Sequence, residues 1–252
     1  MRIAHGHTTS SNYPIIHKIL KNQLKKYYTT AIAVSDKTGQ WLYDENYTVL
    51  NNAIDVEKYL FNEKVRLKLR KMFNCENKFI IGHVGKLYAP KNHKFLIDVF
   101  FEYQKNNNDA MLIIVGGGEL EETLKKQVKD LKIEHKVLFL GMRNDIPDLL
   151  QIFDVFVFPS IYEGLGLALI EAQASGLKCI ASSNVPIETK VTNNVEYLGL
   201  DEDIKKWVDS INKTKISNRK NEIQQVLNQI TKNNYNMSNE VKKLEEIYNG
   251  NN

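Results

Sequence analysis

Two lysines, Lys86 and Lys91, follow the apolar run Phe79-Ile80-Ile81-Gly82-His83-Val84 and its closing Gly85. Gly116-Gly117-Gly118-Glu119 closes a second apolar run, and Gly141-Met142-Arg143-Asn144 a third. After a fourth comes Pro159-Ser160-Ile161-Tyr162-Glu163-Gly164-Leu165-Gly166, with Glu171 eight positions beyond Glu163. Cations, glycine-rich turns and carboxylates in this combination are what a nucleotide carrying a diphosphate needs. Lys86 and Lys91 can neutralise its phosphates, each through charge-assisted hydrogen bonds of roughly 1.5–3 kcal/mol. Gly164, Leu165 and Gly166 let a backbone approach closely and open a helix whose first N–H groups point at an anion. Glu171, read as about two turns into that helix, can accept both hydroxyls of a ribose. Glu163, at the edge of the loop, lies nearer whatever hangs from the diphosphate.

Each residue also has an ordinary role. A lysine after a strand is usually a solvated charge, and a glutamate near a helix start complements the helix dipole. Gly116, Gly117 and Gly118 can form no more than a tight turn, and Arg143-Asn144-Asp145 before Ile146-Pro147 can cap a helix. What favours the chemistry is that all of these features fall at successive strand ends of one sheet.

That sheet is read from residue 78 onward, where short apolar strands alternate with amphipathic helices. Phe79 to Val84, Met111 to Val115, Val137 to Leu140, Val155 to Phe158 and Lys178 to Ala181 read as five strands. Met111 to Val115 is apolar without alternation, as suits a parallel strand covered on both faces. Phe95, Leu96, Val99, Phe100 and Tyr103 have helical spacing, and a Lys/Glu-rich helix runs to about Lys132. The alternation predicts right-handed crossovers and a doubly wound parallel α/β sheet, with ligands beyond the carboxyl ends of the strands. Residues 78–213 form this complete Rossmann-like domain.

Residues 1–55 read as a partial domain of the same kind, with strands at Arg2 to Ala4, Ala31 to Val34 and Thr48 to Leu50 and a helix from Tyr13 to Tyr28. Three strands are too few for an independent sheet with helices on both faces. Residues 56–77 form the connection, including a helix from Val56 to Met72, and 214–252 a helical segment. Asp201-Glu202-Asp203 has the Asp-x-Asp spacing of a metal site, but it opens a helix to about Lys213, where capping is the favoured reading.

The 252 residues are 42% apolar and 25% charged, with 13 Gly and 5 Pro, which excludes fibrous, low-complexity and wholly disordered classes. No apolar run reaches the ~18 residues of a membrane span. The start, Met1-Arg2-Ile3-Ala4-His5, turns polar before a signal-peptide core forms, and two cysteines, Cys75 and Cys179, fit a reducing, cytoplasmic chain. The net charge of +4 suits an anionic ligand. Lysines spread among acids along the whole chain argue against nucleic acid. The first helix sets His17, Lys18, Lys21, Lys25 and Lys26 among Tyr13, Ile16, Leu20, Leu24 and Tyr27. An ordinary domain helix is the favoured reading of residues 13–28, and peripheral contact with the inner face of the cell membrane the second.

Several of these segments resemble the retaining glycosyltransferases of the GT-B fold, family 4, most of all the bacterial capsular and exopolysaccharide branch. They are Gly82-His83-Val84-Gly85-Lys86, Lys91-Asn92, Gly116 to Leu120, Phe158-Pro159-Ser160 and the block Glu163 to Ala172. The resemblance implies a nucleotide-diphosphate sugar donor, with UDP-sugar favoured, and a glycan or lipid-linked acceptor. It implies no cofactor and no essential metal. The basic pair matches Lys86 and Lys91, where the first is commonly Arg; lysine keeps the charge and loses bidentate geometry. The ribose-binding glutamate matches Glu171, the one beside the donor sugar Glu163, and the residues near the base include Arg143. Ile3-Ala4-His5-Gly6-His7-Thr8 resembles the strand end that presents a histidine to the donor sugar, with His5 the first match and His7 the second.

Two such domains at ~150–200 residues each exceed 252, so the resemblance implies that earlier strand–helix units of the first domain are absent. Alternatives are a donor-binding half that works with a complementary chain, a sugar-nucleotide epimerase and a nicotinamide-dependent oxidoreductase. Gly116-Gly117-Gly118-Glu119 lacks the Gly-x-Gly-x-x-Gly spacing the last of these needs.

Overall fold

A computed structural model describes residues 1–7, 13–24, 26–214 and 219–250. Thr8, Lys25 and the side chain of Lys18 lie outside what is described. Contacts divide the chain into two units, Met1–Asp55 with Thr231–Asn252, and Val56–Ile230. The second division falls inside a helix, within the segment expected as one helical region from 214 to 252.

The first unit contains β1 (Ile3–Gly6), α1 (Pro14–Leu24), β2 (Thr30–Ala33), α2 (Asp36–Tyr43) and β3 (Thr48–Val49). The strands pair in parallel in the order β1-β2-β3, with His5 opposite Ile32 and Ala33 opposite Val49. α1 stops four residues before the expected end and leaves Ile16, Ile19 and Leu20 exposed. α2 was not foreseen. Its start is polar and contains Gly39, and Ser35 caps it by accepting from the Thr38 N–H at 3.2 Å. Among the described residues no helix is long and apolar enough to cross a membrane.

The second unit opens with α3 (Val56–Tyr59) and α4 (Glu63–Met72), where a single helix was expected. Asn62 breaks the run, because its side chain caps α4 by accepting from the N–H groups of Lys64 and Val65. There follow β4 (Phe79–Val84), α5 (His93–Gln104), β5 (Ala110–Val115), α6 (Glu121–Asp130), β6 (Val137–Phe139) and α7 (Ile146–Ile152). Then come β7 (Val155–Phe158), α8 (Leu167–Ala174), β8 (Lys178–Ser182), β9 (Val195–Leu198), α9 (Ile204–Lys213) and α10 (Arg219–Lys232). α11 (Met237–Tyr248) completes the chain's elements within the first unit.

All six strands are parallel, in the order β6-β5-β4-β7-β8-β9. Strand alternation sends Ile81, Leu112, Ile114, Val155, Val157 and Ile180 to one face, under α5, α6 and α9. Ile80, Ile113, Val115, Phe156, Phe158 and Cys179 go to the other, under α7 and α8. This is the doubly wound sheet the sequence predicts, with β9 as a sixth strand that the reading omits. Gly82 sits inside β4 because the Phe153 ring lies where a Cβ would be, 2.0 Å from it. Asp203 accepts from the Lys205 N–H at 2.9 Å, so the end of the Asp-x-Asp triplet is a helix cap.

The order reverses at β4, whose chain-successive neighbour β5 lies on one side and β7 on the other. The helices that follow β4 and β7, α5 and α8, therefore pack on opposite faces of the sheet, and in an open parallel sheet this switch point is where a crevice forms. Gly85 to Lys91 leave one strand and Pro159 to Glu163 the other.

Candidate functional site

Backbone hydrogen bonds tie the loops at this edge together. The Gly85 N–H donates to Val115 O at 2.9 Å, Leu87 N–H to Gly117 O at 3.0 Å, and Leu120 N–H back to Leu87 O at 3.1 Å. Gly116 N–H reaches Gly141 O at 2.8 Å, and Ile161 N–H reaches Pro90 O at 2.7 Å. The glycines permit this closeness. A Cβ on Gly116, at φ +137°, would meet Gly85 O at 2.0 Å, and one on Gly118 would meet Leu87 O at 2.4 Å. Gly117 lies against Met142, with its Cβ direction 3.1 Å from Cγ. Gly118→Ala is expected to cost about 1–3 kcal/mol, since the obstacle is backbone that cannot rotate away. Urea unfolding checks it, and a loss below ~0.5 kcal/mol would show that the loops give way to the added methyl group.

Lys91 ends the 3-10 turn Ala89–Lys91 and is held by a carboxylate and an aromatic ring. Its Nζ donates to Glu163 Oε1 at 2.6 Å and lies 4.6 Å from the Phe158 ring centroid. Ser160 Oγ donates to the same carboxylate oxygen at 2.6 Å. The lysine and glutamate side chains are only 12% and 8% exposed, so this is a mostly buried pair. Lys86 differs: it is exposed, with Nζ 5.6 Å from the Tyr88 ring centroid.

Two histidines lie beneath this turn. A Cβ on Gly85 would stand 3.0 Å from His83 Nε2 and 3.2 Å from Lys91 Cδ. His83 and His93 are buried and cross edge to face at 4.6 Å between centroids. His83 Nδ1 is 2.8 Å from Val157 O, which makes it the protonated nitrogen of a neutral ring. Burial first, then its neighbour, drives the His83 pKa far down, and burial with Lys91 drives His93 to about 4. Near neutral pH both rings are uncharged, so the positive charge at this turn belongs to the lysines.

On the β7 side, Gly166 takes φ +89° at the start of α8, a conformation that favours glycine. Gly164 is exposed with open space around it, and Leu165 is half-buried. The amino end of α8 and its partial positive charge thus face this edge. Glu171 stands a little over one turn into α8, since the helix begins at Leu167 and not at Gly164. Its Oε1 accepts from the Tyr59 hydroxyl at 2.9 Å. Burial raises its pKa and the Tyr59 bond opposes that rise.

The structure therefore gathers Gly85, Lys91, Glu163 and the glycine turns, and puts Lys86, Gly164, Leu165, Gly166 and Glu171 on the same loops and helix. Arg143 lies exposed on the neighbouring loop and is already paired, its Nε and Nη2 donating to Asp145 at 2.8 and 2.6 Å. Asp145 spends its carboxylate there and makes no capping bond. His5 belongs to the first unit and lies within β1, not at its end, while His7 follows the strand; both are exposed. Ser160 and Tyr59 were not singled out as site residues. Ser160 belongs to the segment Phe158-Pro159-Ser160, whereas nothing around Tyr59 in the sequence marks it.

A family model described as "Glycosyl transferases group 1" matches residues 65–237. EpsF of Bacillus subtilis, which carries a glycosyltransferase name, is 30% identical over 225 residues, covering 84% of this chain and 59% of the relative. The UDP-Gal:alpha-D-GlcNAc-diphosphoundecaprenol alpha-1,3-galactosyltransferase of Escherichia coli is 33% identical over 186 residues, covering 70% and 48%. The chain thus spans about half to three fifths of these relatives. Among solved structures, Anabaena HepE in complex with UDP superposes with a TM-score of 0.73 at 21% identity, covering 96% of this chain and 72% of that one. A glycosyltransferase from Rickettsia africae gives 0.77 at 20%, covering 98% and 69%. At these identities the superpositions establish the fold.

Proposed function

The chain belongs to the glycosyl transferases group 1 family, and on that premise we propose that it transfers a sugar, with retention, from a nucleotide-diphosphate sugar to a glycan or lipid-linked acceptor in cell-surface polysaccharide synthesis. The carrying observation is that the loops holding Lys86 and Lys91 and the helix α8, with Glu171 one turn in, follow β4 and β7 at the sheet's switch point. A UDP-sugar is the favoured donor. The E. coli relative is named for UDP-Gal, and HepE was solved with UDP and with UDP-glucose.

In this reading the diphosphate is both handle and leaving group. Charge builds on its oxygens as the glycosidic bond breaks, and Lys86, Lys91 and the α8 amino end supply the positive charge that stabilises it. Glu171 accepts the ribose hydroxyls, Glu163 lies beside the donor sugar, and the loop of Arg143 borders the base. None of these residues acts as a nucleophile, and no step is assigned to His5. A lipid-linked acceptor would bring the protein to the inner face of the membrane, and exposed Ile16, Ile19 and Leu20 on α1 support a peripheral contact there.

Lys86→Ala and Glu171→Ala are each expected to weaken UDP binding by ~1–3 kcal/mol, about 5–150-fold. Calorimetry decides it, and wild-type affinity in both variants would place the nucleotide elsewhere.

A further inference from the structure

Tyr59 ends α3 at the start of the second unit, and its hydroxyl donates to Glu171 Oε1 at 2.9 Å. The tyrosine is held from behind by a single buried amide. Gln151, on α7, donates through Nε2 to Tyr59 O at 3.2 Å and to Pro147 O at 2.8 Å. Its Oε1 accepts from the Asn62 N–H at 3.1 Å. One side chain therefore clamps both ends of the turn between α3 and α4, while the Tyr59 ring packs half-buried against the core beneath α7 and α8. The result is a continuous path from a buried anchor to one oxygen of Glu171.

We propose that Tyr59 is a positioning residue for nucleotide recognition: its hydroxyl fixes the Glu171 carboxylate so that the other oxygen is aimed at the ribose 2′- and 3′-hydroxyls. This rests on the reading that Glu171 binds the ribose. A carboxylate can accept about four hydrogen bonds, so the one from Tyr59 leaves capacity for two from a sugar. A glutamate has three rotatable bonds, and fixing them before the ligand arrives removes an entropic cost from binding.

The contact also bears on charge. Burial raises the Glu171 pKa, and the Tyr59 bond favours the ionised form and opposes the rise. Other charged or titratable groups on the elements packed against α8 are exposed Glu57 and Lys58 of α3, Glu188 of the 3-10 turn Ile187–Thr189, and Lys178 and Cys179 of β8. The shift of the Glu171 carboxylate comes from its burial and from Tyr59. Ribose hydroxyls donate to the ionised carboxylate, so binding holds above the Glu171 pKa and is lost as pH falls through it. Removing the tyrosine hydroxyl raises that pKa further and moves the loss to higher pH.

Tyr59→Phe keeps the ring and deletes the bond. With UDP and 2′,3′-dideoxy-UDP as probes, calorimetry should show UDP binding weakened about 5–10-fold and 2′,3′-dideoxy-UDP within about twofold of wild type. The acid-side midpoint of UDP binding should rise. A carboxyl carbon NMR titration of Glu171 in the unliganded protein should show the same upward shift, independent of any ligand. Equal weakening of both ligands, or an unmoved Glu171 titration, overturns the proposal. Glu171→Gln, measured alongside, separates the two layers. If it abolishes discrimination between the two nucleotides while Tyr59→Phe preserves it, the role of Tyr59 falls alone. If Glu171→Gln discriminates like wild type, the ribose reading falls and takes Tyr59 with it.

Discussion

Asp154→Ala is expected to destabilise the protein by about 3–5 kcal/mol, because it removes the carboxylate that holds one buried and one partly buried guanidinium group. Asp154 lies between α7 and β7 with its side chain 2% exposed. Arg66 Nη2 reaches Oδ1 at 2.5 Å, Arg70 Nη1 reaches it at 3.1 Å, and Oδ2 accepts from the Ile80 N–H at 2.7 Å. Arg70 also donates to Lys78 O, and Arg66 to Gln151 O at 2.8 Å and Phe153 O at 2.9 Å. The carboxylate thus joins α4 to the starts of β4 and β7, the two strands that flank the switch point.

The cost is one of desolvation more than of lost attraction. Burial lowers the pKa of Arg66, and it lowers that of Arg219, which donates to the same Gln151 and Phe153 carbonyls, to about 9. Three guanidinium groups crowd one carboxylate, and without it their repulsion and poor solvation are unopposed. Asp154→Asn should fall between, since it keeps an acceptor for the Ile80 N–H and loses the charge. Urea unfolding followed by circular dichroism measures both. A loss under ~1 kcal/mol for the alanine variant would mean that water or rearranged carbonyls satisfy the arginines.

Asp154 was invisible in the sequence for the same reason that Tyr59 was. Its partners are 74 to 88 positions away, and no local pattern marks a buried aspartate. Five strands of the second unit were legible because each is an apolar run that ends in glycine or polar residues. β9, Val195-Glu196-Tyr197-Leu198, escaped because it is an edge strand in which Glu196 is exposed, so it never forms such a run. The candidate site was legible at the level of loops: position after a strand follows from chain order, and chain order survives folding. What spacing could not supply was pairing. Lys91 and Glu163 lie 72 positions apart, and only folding reveals that each occupies the other.

That pairing sets the second large expectation. In the unliganded protein the Lys91 ammonium is already shared with Glu163, which Ser160 holds through the same oxygen. In the proposed donor site a diphosphate must compete for Lys91 and also approach the Glu163 carboxylate, a like charge. Lys91→Ala removes the cation, leaves the mostly buried Glu163 without its ion-pair partner, and should lower turnover by about 100-fold or more while weakening UDP. Glu163→Gln removes the competitor and the repulsion together. It should tighten UDP binding by a few-fold, roughly 1 kcal/mol, although turnover falls because the group beside the donor sugar has lost its charge. Opposite signs on binding with the same sign on turnover distinguish a shared cation from a merely structural ion pair. Calorimetry with UDP, set beside UDP release from a panel of UDP-sugars, reads both quantities. If Glu163→Gln weakens UDP as much as Lys91→Ala does, then the glutamate's chief task is to aim the lysine and it does not compete with the nucleotide for it.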